Sequence, residues 1–327
     1  MQAFLASLGL LLMAATALPL VRSDAWWVRV FDFPRLQILV LLAAVLAGHL
    51  LAGDPFTVPG AALAGALALC LAYQGTKMFP YTRLARPQVE RSSSATPASS
   101  FSVLFANVQM DNRDATRLNR IIREADPDIV LAVEPDEWWR EQLQWLRATH
   151  PAAIEHPRRN TYGMLLYSRL ELREPQVKFL VEDDVPSIHA RARLPSGAEF
   201  ALRCLHPRPP TPPHQDSSRE RDAELIVVAR ELGQHGGPAA VLGDLNDVAW
   251  SRTNSRFQAL SGLLDPRVGR GFFNTFHAKL PFLRFPLDHC FHSRHFRLVA
   301  LRRLAAFGSD HFPLYLELSY EPGAPKP

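Results

Sequence analysis

Three long apolar runs in the first quarter of the chain constrain its fold more than any other feature of the sequence. Residues 3–21, 36–52 and 57–73 carry no charged side chain. An α-helix needs about 20 predominantly apolar residues to cross the ~30 Å hydrocarbon core of a bilayer, and each run comes close to that length. The pattern therefore predicts three membrane-spanning helices at the start of a chain of 327 residues.

The first run has a second interpretation as a cleaved signal peptide. Its small residues Ala15, Thr16 and Ala17 suit a signal-peptidase site. Basic residues are missing before the run, however, and two further apolar runs follow it. We therefore favour a membrane span over residues 3–21 and keep the signal peptide as the alternative.

Charged residues flank the three runs unequally. The segments after the first and third runs are basic, whereas the short loop between the second and third holds only Asp54. The basic residues are Arg22, Arg29 and Arg35 after the first run and Lys77, Arg83, Arg86 and Arg91 after the third. With three spans, both basic segments lie on one side, and the positive-inside rule favours the cytoplasm for that side. We expect a multi-pass protein of the inner cell membrane.

The connection between the first two runs carries aromatic residues among its arginines. Trp26, Trp27 and Phe31 stand there, as expected of a loop with aromatic anchors at a membrane interface. After the third run, residues 88–100 are rich in Ser and show no hydrophobic period, which is typical of a linker. We therefore predict an anchor over residues 1–87, a linker over 88–100, a folded domain over 101–320 and a tail over 321–327.

Beyond the linker, runs with a period of two alternate with a few runs of helical period. Helices are predicted around Leu118 to Ala125, from Ser218 to Leu232 and from Asn254 to Leu264. Strands are predicted over 101–106, 128–133, 161–168, 176–181, 187–194, 199–205, 238–242, 287–291, 296–304 and 313–318. Adjacent strands without a helix between them argue against a doubly wound parallel sheet. The pattern favours an α/β fold of two mixed sheets packed face to face and covered by helices.

Polar residues stand at or near one end of several predicted strands. Asp244 and Asn246 follow the apolar strand 238–242, where side chains that leave a sheet can converge on a ligand. An Asx-type turn that merely closes the strand is the alternative for this motif alone. Further examples are Asn107, Glu134, Asp288 with His289, and Asp310 with His311. Hydrolytic metal sites are assembled from distant parts of a chain in this way.

Two of these motifs, Gly243–Asn246 (Gly-Asp-Leu-Asn) and Gly308–Pro313 (Gly-Ser-Asp-His-Phe-Pro), resemble those of the endonuclease/exonuclease/phosphatase superfamily. Its members include deoxyribonuclease I-like nucleases, abasic-site endonucleases, sphingomyelinases and inositol-polyphosphate 5-phosphatases. The resemblance covers residues 100–320. It implies a four-layer α/β/β/α sandwich of two mixed sheets, preceded here by three transmembrane helices, with the active site at one edge of the packed sheets.

The resemblance assigns a divalent-metal site to the acidic residues. It identifies Glu134 as the metal-binding carboxylate, Asn107 as the asparagine near the metal, and Asp310 as a further ligand or ligand-positioning group. Carboxylates suit a hard cation and the sequence has no His/Cys pairs at zinc spacing, so we expect Mg²⁺, with Mn²⁺ as a substitute. Many nuclease relatives carry an acid two residues after the asparagine, whereas this chain has Gln109. That departure leaves a second acidic ligand and any two-metal scheme in doubt.

The second histidine motif supplies a candidate general base. His311 resembles the family's catalytic histidine and Asp288 the carboxylate that orients it. A carboxylate on one ring nitrogen fixes the tautomer and raises the basicity of the other nitrogen. An alternative assignment gives the proton of the attacking water to Asp244 and makes the histidine a stabiliser of the phosphate. The sequence leaves both assignments open.

Three further residues are candidates for contact with the substrate. Asn246 is expected to donate to a phosphoryl oxygen. His206 resembles the family's histidine that contacts the scissile phosphate and helps to neutralise its charge, so both residues count as catalytic and as substrate-binding. Tyr162 lies where relatives place groups on the substrate side.

These features together predict a membrane-anchored, Mg²⁺-dependent phosphoesterase that hydrolyses its substrate with an activated water. The substrate is either nucleic acid or a lipid or small-molecule phosphate ester. Of the net charge of +4, residues 1–95 contribute +3, with seven basic and four acidic residues, so the domain carries no strong positive charge that favours nucleic acid. The alternative is a non-catalytic membrane receptor or scaffold that binds a phosphorylated ligand. The bilayer is an expected partner, and no obligate protein partner is inferred.

Overall fold

Three helices long and apolar enough to cross a membrane open the chain in the computed structural model, which describes residues 2–212 and 215–323. They cover Gln2–Leu20, Arg35–Ala52 and Val58–Tyr81, where the apolar runs predict them. The α-helices of this part are α1 (Gln2–Ala17), the four-residue α2 (Trp26–Arg29), α3 (Arg35–Ala52) and α4 (Val58–Met78). The connection between α1 and α3, which contains α2, lies on the same side of the three helices as the domain that follows α4, because the backbone N–H of Trp26 donates to the carbonyl of Asp216 over 3.0 Å.

Apolar packing holds the three long helices together. Leu12 of α1, Leu42 of α3 and Leu67 of α4 are buried against one another. Gln74 of α4 is also buried, and its side-chain oxygen accepts a hydrogen bond of 3.1 Å from Arg35 at the start of α3. A polar group in apolar surroundings is costly without such a partner, so this contact fixes α4 against the beginning of α3.

Eleven strands in the described part of the chain form two mixed sheets. They are β1 (Ser100–Asn107), β2 (Ile129–Val133), β3 (Ala152–His156), β4 (Met164–Ser168), β5 (Glu171–Lys178), β6 (Ser187–Arg193), β7 (Glu199–Leu205), β8 (Ala239–Asp244), β9 (Asp288–His292), β10 (Phe296–Arg303) and β11 (Leu314–Tyr320). One sheet has the order β10-β11-β1-β2-β4-β3 and the other the order β5-β6-β7-β8-β9. Among these strands only β1/β2 and β7/β8 pair in parallel. The predicted pair of mixed sheets is confirmed.

Helices cover the outer face of each sheet. They are α5 (Ala115–Ala125), α6 (Glu137–Leu143), α7 (Arg219–His235) and α8 (Arg252–Ser261). Leu118 of α5 and Trp139 of α6 pack on the six-stranded sheet. Val228 of α7 and Phe257 of α8 pack on the five-stranded sheet. The result is the α/β/β/α order of layers.

The central core lies between the two sheets and is rich in aromatic residues. Phe101 of β1 stacks on Phe200 of β7 with ring centroids 4.5 Å apart, and Phe296 of β10 meets both rings edge-on. Burial of one such side chain contributes about 1.5–3 kcal/mol relative to leaving it exposed. The contact therefore ties the first strand of one sheet to the middle of the other.

Strand pairing brings distant strand ends to a common edge. Asn107 pairs with Val133 in the parallel β1/β2 pair, so Glu134 emerges directly beside Asn107. In the other sheet, Asp244 at the end of β8 pairs with Asp288 at the start of β9. The two sheets meet at this edge, because the side chain of Asn107 donates to Asp244 over 3.1 Å.

The sequence pattern does not predict two of the elements, β3 and α6, and it places a third, β5, at different residues. β3 is an edge strand whose residues are all half-buried, so its side chains show no alternation. α6 has only seven residues, too few for a helical period to be visible. β5 begins at Glu171 rather than at Gln176, because it is an edge strand with mainly exposed side chains. Periodicity predicts an element only where one of its faces is buried.

The segment predicted as a linker lies against the domain. Val89 is buried in the central core, and the backbone N–H of Ser92 donates to the carbonyl of Leu298 in β10 over 2.9 Å. The division of the chain at residues 87 and 100 stays a prediction. Residues 324–327 of the predicted tail lie outside the described residues.

Gly243 permits the close approach of β7 and β8 beside the strand ends. Its φ is 154°, and a Cβ at this position would lie 1.8 Å from the carbonyl oxygen of Leu205. We expect Gly243→Ala to lower the free energy of unfolding by about 3 kcal/mol or more, because the backbone must move or the pairing must open. Thermal unfolding of the purified full-length chain in detergent measures this effect.

Gly237, in the turn before β8, offers a matched control. A Cβ at this position meets no heavy atom within 4 Å. Gly237→Ala should therefore change stability by no more than about 0.5 kcal/mol. If Gly243→Ala were as stable as Gly237→Ala, the close approach of the two strands would be wrong.

Candidate active site

Five polar side chains meet at the edge where the strands end. Asn107 ends β1, Glu134 follows β2, Asp244 ends β8, Asp288 begins β9, and His311 precedes β11. Four of them are buried, and Glu134 keeps 22% of its side chain exposed. The cluster is therefore reached from solvent on the side of Glu134.

Asn107 bridges the two acids. Its Nδ2 donates to Glu134 Oε1 over 2.8 Å and to Asp244 Oδ2 over 3.1 Å, while its Oδ1 accepts from the backbone N–H of Gln109. Glu134 itself has a φ of 64°, and its N–H donates to the carbonyl of Gly163 over 3.0 Å. The amide nitrogen of Asn107 thus faces the carboxylates, an orientation that suits a residue holding metal ligands in place.

His206 and Tyr162 lie on the Glu134 side of the cluster. His206 Nε2 is 3.8 Å from Glu134 Oε1, and the His206 ring lies 5.8 Å from the ring of Tyr162. The guanidinium of Arg208 covers the other part of Tyr162, 4.6 Å from its ring centroid, and forms a 2.7 Å ion pair with Asp184. Tyr162 therefore reaches the cluster through His206 and forms part of its wall.

A chain of polar contacts links Asp288, His311 and Asp244. His311 Nδ1 lies 2.9 Å from Asp288 Oδ2, and His311 Nε2 lies 3.5 Å from Asp244 Oδ2. Burial alone would lower the pKa of His311, but the carboxylates of Asp288 and Asp244 outweigh it and raise that pKa to about 10. At neutral pH the ring is therefore protonated and directs one N–H toward each carboxylate.

Burial also raises the pKa values of the two acids next to Asn107. It raises the pKa of Glu134 to about 7, although the hydrogen bond from Asn107 opposes the shift. Burial likewise raises the pKa of Asp244, against the opposing charge of His311. A cation beside these carboxylates would offset both the loss of hydration and their mutual repulsion.

Two clusters among the residues that the structure describes have the composition of a metal site. Glu134, His206 and Asp244 form one, and Asp244, Asp288 and His311 form the other, each with its ligand atoms within 4.8 Å of one another. In the second cluster Asp288 and His311 already satisfy each other. The first cluster combines a partly exposed carboxylate with a second carboxylate and an imidazole, and this donor set fits a divalent cation.

Asp310 belongs to neither cluster. Its backbone N–H donates to Gln109 Oε1 over 3.0 Å. The neighbouring Ser309 Oγ donates to the carbonyl of Asn107 over 2.8 Å and accepts from the N–H of His311. Gln109, which stands where relatives carry an acid, thus ties the end of β1 to the loop that carries His311. This role of Gln109 could not be predicted from the sequence, because its partner is far away along the chain.

Asn246 is held by its backbone at the end of β8. It has a φ of 50°, and its N–H donates to Asp244 Oδ1 over 2.9 Å. Its Nδ2 donates to the carbonyl of Pro207 over 2.9 Å, which leaves a second amide hydrogen for another acceptor. Arg221 of α7 donates to the Asn246 carbonyl over 2.7 Å and lies 3.4 Å from Asp247. The role of Arg221 could not be predicted from its neighbours in the sequence, since it stands among charged residues at the start of a helix.

The side chains of Asp288 and His289 lie in different surroundings. Asp288 faces His311, whereas His289 accepts from Arg267 over 2.7 Å at Nδ1 and donates from Nε2 to the carbonyl of Asp247 over 2.9 Å. Burial, with the charge of Arg267, lowers the pKa of His289 well below its usual value. His289 is therefore a neutral structural residue outside the cluster.

A comparison with protein families matches this part of the chain. The model described as the Endonuclease/Exonuclease/phosphatase family matches residues 104–311, a range that contains every predicted site residue. No curated protein sequence matches the chain significantly. The match starts in β1 and ends at His311, so it spans both sheets.

Several solved structures have the same α/β/β/α fold as this chain. The catalytic domain of human Nocturnin with bound sulfate aligns with a TM-score of 0.56 and 17% identity, over 74% of this chain and 99% of that one. TDP2 from D. rerio in complex with a single-strand DNA product aligns with a TM-score of 0.52 and 18% identity, over 68% and 99%. The mannosyl-6-phosphatase of Bacteroides thetaiotaomicron VPI-5482 aligns with a TM-score of 0.51 and 20% identity, over 67% of this chain and 100% of that one. The predicted sandwich fold is confirmed.

Proposed function

Because the chain belongs to the endonuclease/exonuclease/phosphatase family, we propose that it is a membrane-anchored, divalent-metal-dependent phosphoesterase that hydrolyses its substrate with an activated water. Members of this family are hydrolases of phosphate esters. The observation that carries the proposal is the contact chain Asp288–His311–Asp244, which stands directly beside Glu134 at one edge of the sheets. The three helices long enough to span a bilayer support the anchor.

Glu134 is the proposed principal metal ligand, flanked by Asp244 and His206. Asn107 holds the two carboxylates, and Asp310, whose charge acts on Glu134, contributes to the field at this site. We assign Mg²⁺ to the site, with Mn²⁺ as a substitute, because oxygen ligands dominate. When bound, such a cation withdraws charge from the phosphoryl oxygens and favours attack at phosphorus.

Asp244 is proposed to accept a proton from the attacking water, next to the protonated imidazole of His311. The two groups face each other over 3.5 Å, and Asp288 holds the far side of the imidazole. A positioned acid–base pair of this kind contributes about 10²–10⁴-fold to a rate. The protonated ring and the free amide hydrogen of Asn246 would stabilise the charge that develops on the phosphoryl oxygens.

His206 and Tyr162 are the proposed substrate-side groups. His206 lies next to Glu134, on the side of the cluster that solvent reaches, and Tyr162 lies beside His206. A non-catalytic receptor would have no need for an oriented Asp–His pair next to a second buried acid. Every group that hydrolysis requires is present in one cluster, which favours the enzyme over a receptor or scaffold.

The domain is proposed to work at the surface of the inner cell membrane. The connection between α1 and α3 and the segment after α4 lie on its side of the helices, and both are basic. The positive-inside rule therefore favours the cytoplasmic face.

Removal of the metal tests the proposed function. Full-length protein in detergent should hydrolyse a phosphate ester from a panel of bis-p-nitrophenyl phosphate, p-nitrophenyl phosphate, DNA, RNA and phospholipids with Mg²⁺ or Mn²⁺. We expect EDTA to abolish turnover and added metal to restore it. Glu134→Gln should weaken Mn²⁺ binding, measured by calorimetry, by about 10–100-fold or more, because one carboxylate of the site is lost.

Glu137→Gln is the matched control for this experiment. Glu137 lies three positions along the chain in α6, and 56% of its side chain is exposed. Its substitution should leave Mn²⁺ affinity and turnover within about twofold, as is usual for a surface change. Hydrolysis that persisted in EDTA, or a metal-loaded protein that cleaved nothing in the panel, would contradict the proposed function.

A further inference from the structure

An apolar groove of about 400 Å³ lies beside the site. One wall is the interfacial loop, residues 21–34, and the other is the hairpin of residues 276–285. Its lining includes Trp26, Phe31, Phe33, Phe276, Leu283 and Phe285. Arg29 is the one charged residue among the lining residues that the structure describes, and it forms a 2.7 Å ion pair with Asp32. The volume lies within the range of small-molecule sites.

The groove ends at the catalytic cluster. Phe276 lines the groove, and its ring centroid lies 5.0 Å from that of His311. The backbone of Phe276 forms isolated bridges to both Phe285 and His311. One aromatic ring therefore separates the apolar groove from the proposed acid–base pair.

Both walls of the groove meet the proposed membrane surface. The interfacial loop connects α1 to α3, so its two ends lie where these helices leave the bilayer. The hairpin exposes Phe282 by 88% and Leu283 by 50%. Gln37, in the first turn of α3, donates to the carbonyl of Phe282 over 2.8 Å. The exposed apolar tip of the hairpin thus stands beside a helix at the level where it enters the membrane.

The interfacial loop is fixed to the domain, so the groove is a built feature. The backbone N–H of Ser218 donates to the carbonyl of Asp24 over 2.7 Å, and Trp26 N–H donates to the carbonyl of Asp216. Trp250 Nε1 donates to the carbonyl of Asp32 over 2.7 Å. These bonds hold the loop to the domain near both ends of the loop. A preformed apolar site needs no ordering when its ligand binds.

We propose that the substrate is a phosphate ester of a membrane lipid, with its phosphate at Glu134 and His311 and its hydrocarbon chain in this groove. The inference rests on the proposed function and adds the class of substrate. The oxygen of water bonds to phosphorus, the ester P–O bond breaks, and the released alcohol takes up one proton. A nucleic acid offers no hydrocarbon chain and would gain little from a groove without a free positive charge.

The test compares lipids with the same headgroup and different chains. Full-length protein in detergent is given phosphatidic acid and phosphatidylglycerol with oleoyl or with butyryl chains, in Mg²⁺. We expect kcat/KM to be about 10-fold or more higher for the oleoyl lipids, because more hydrocarbon leaves water. Leu283→Gln on one wall and Val30→Gln on the other should each lower the oleoyl-to-butyryl ratio by about 10-fold.

Leu280→Gln is the matched control for both variants. Leu280 lies in the same hairpin with 47% exposure but does not line the groove. Its substitution should keep the ratio within about twofold. Val30 is 39% exposed and Leu283 50%, so both variants are expected to fold, and they lie on different walls of the groove. Binding of a non-hydrolysable dioleoyl phosphonate, weakened in both groove variants, supplies a readout that does not depend on turnover.

The outcomes separate the inference from the proposed function. Metal-dependent cleavage of DNA or bis-p-nitrophenyl phosphate without preference for oleoyl lipids would overturn the lipid substrate and leave the phosphoesterase intact. If Leu280→Gln and Leu283→Gln changed the oleoyl-to-butyryl ratio equally, the proposal that the groove binds the hydrocarbon chain would also be wrong. If no ester of any kind were cleaved, the proposed function would fail. In that case, phosphonate binding unchanged by the groove variants would reject the groove as well.

Discussion

Asp244→Asn should lower kcat/KM by about 10³-fold or more. Asp244 is the residue that the two ligand clusters share. Its Oδ2 accepts from Asn107 over 3.1 Å and lies 3.5 Å from His311 Nε2. An amide at this position neither takes up a proton nor offers an anionic ligand, so both the proton acceptor and the field at the metal are weakened.

The same variant should not unfold the protein. Asp244 is 1% exposed, and burial raises its pKa. The folded state therefore disfavours the ionised carboxylate, and this lowers the free energy of unfolding once the pH exceeds the ordinary pKa of an aspartate. Asparagine removes this cost, and we expect the thermal midpoint in EDTA near neutral pH to stay equal or rise. The exposed Asp183→Asn controls for loss of a carboxylate and should keep full activity. If the kcat/KM of Asp244→Asn were within tenfold of the wild-type value, the central role of Asp244 would be wrong.

His311→Gln and Asp288→Asn should each lower kcat by about 10²–10⁴-fold, and the double variant should be little worse than the single His311→Gln. Asp288 acts on the reaction only through the imidazole, which it holds at 2.9 Å. Once the imidazole is gone, the carboxylate has nothing to orient. Steady-state kinetics of the two single variants and the double variant give the coupling between them.

A distant pair supplies the control for additivity. His235 lies exposed at the end of α7 and Asp183 is exposed in another loop, so His235→Gln and Asp183→Asn should be near neutral and their effects should multiply. If the losses from His311→Gln and Asp288→Asn multiplied in the double variant, the two residues would act independently. The oriented Asp–His pair would then be wrong.

Much of the site could be predicted because its residues mark strand ends. Glu134 follows the buried strand β2 and Asp244 ends the buried strand β8, and an apolar run that stops at an acid is visible in a single sequence. The motif around His311 is specific enough to suggest its partner Asp288. The roles of these residues stay predictions until the variants are measured.

Other residues of the site gave no local signal. Arg221 has the charge and position of a solvated helix residue, yet it is 1% exposed and holds the backbone of Asn246. Gln109 is a departure from the family pattern, and its bond to the N–H of Asp310 depends on a partner from the far end of the domain. Neither contact has a counterpart in the spacing of nearby residues.

The sequence by itself determined the three apolar spans, the two-sheet class of the domain and the residues that stand at strand ends. Each follows from local physics, since the period of apolar side chains reports which face of a segment is buried. The tertiary structure alone decided which strand ends meet, that Asn107 faces its acids with nitrogen, and that residues 21–34 and 276–285 enclose an apolar groove. These features depend on contacts between segments far apart along the chain. The free energy of such a contact depends on both segments, so it cannot be predicted from the sequence pattern of either one alone.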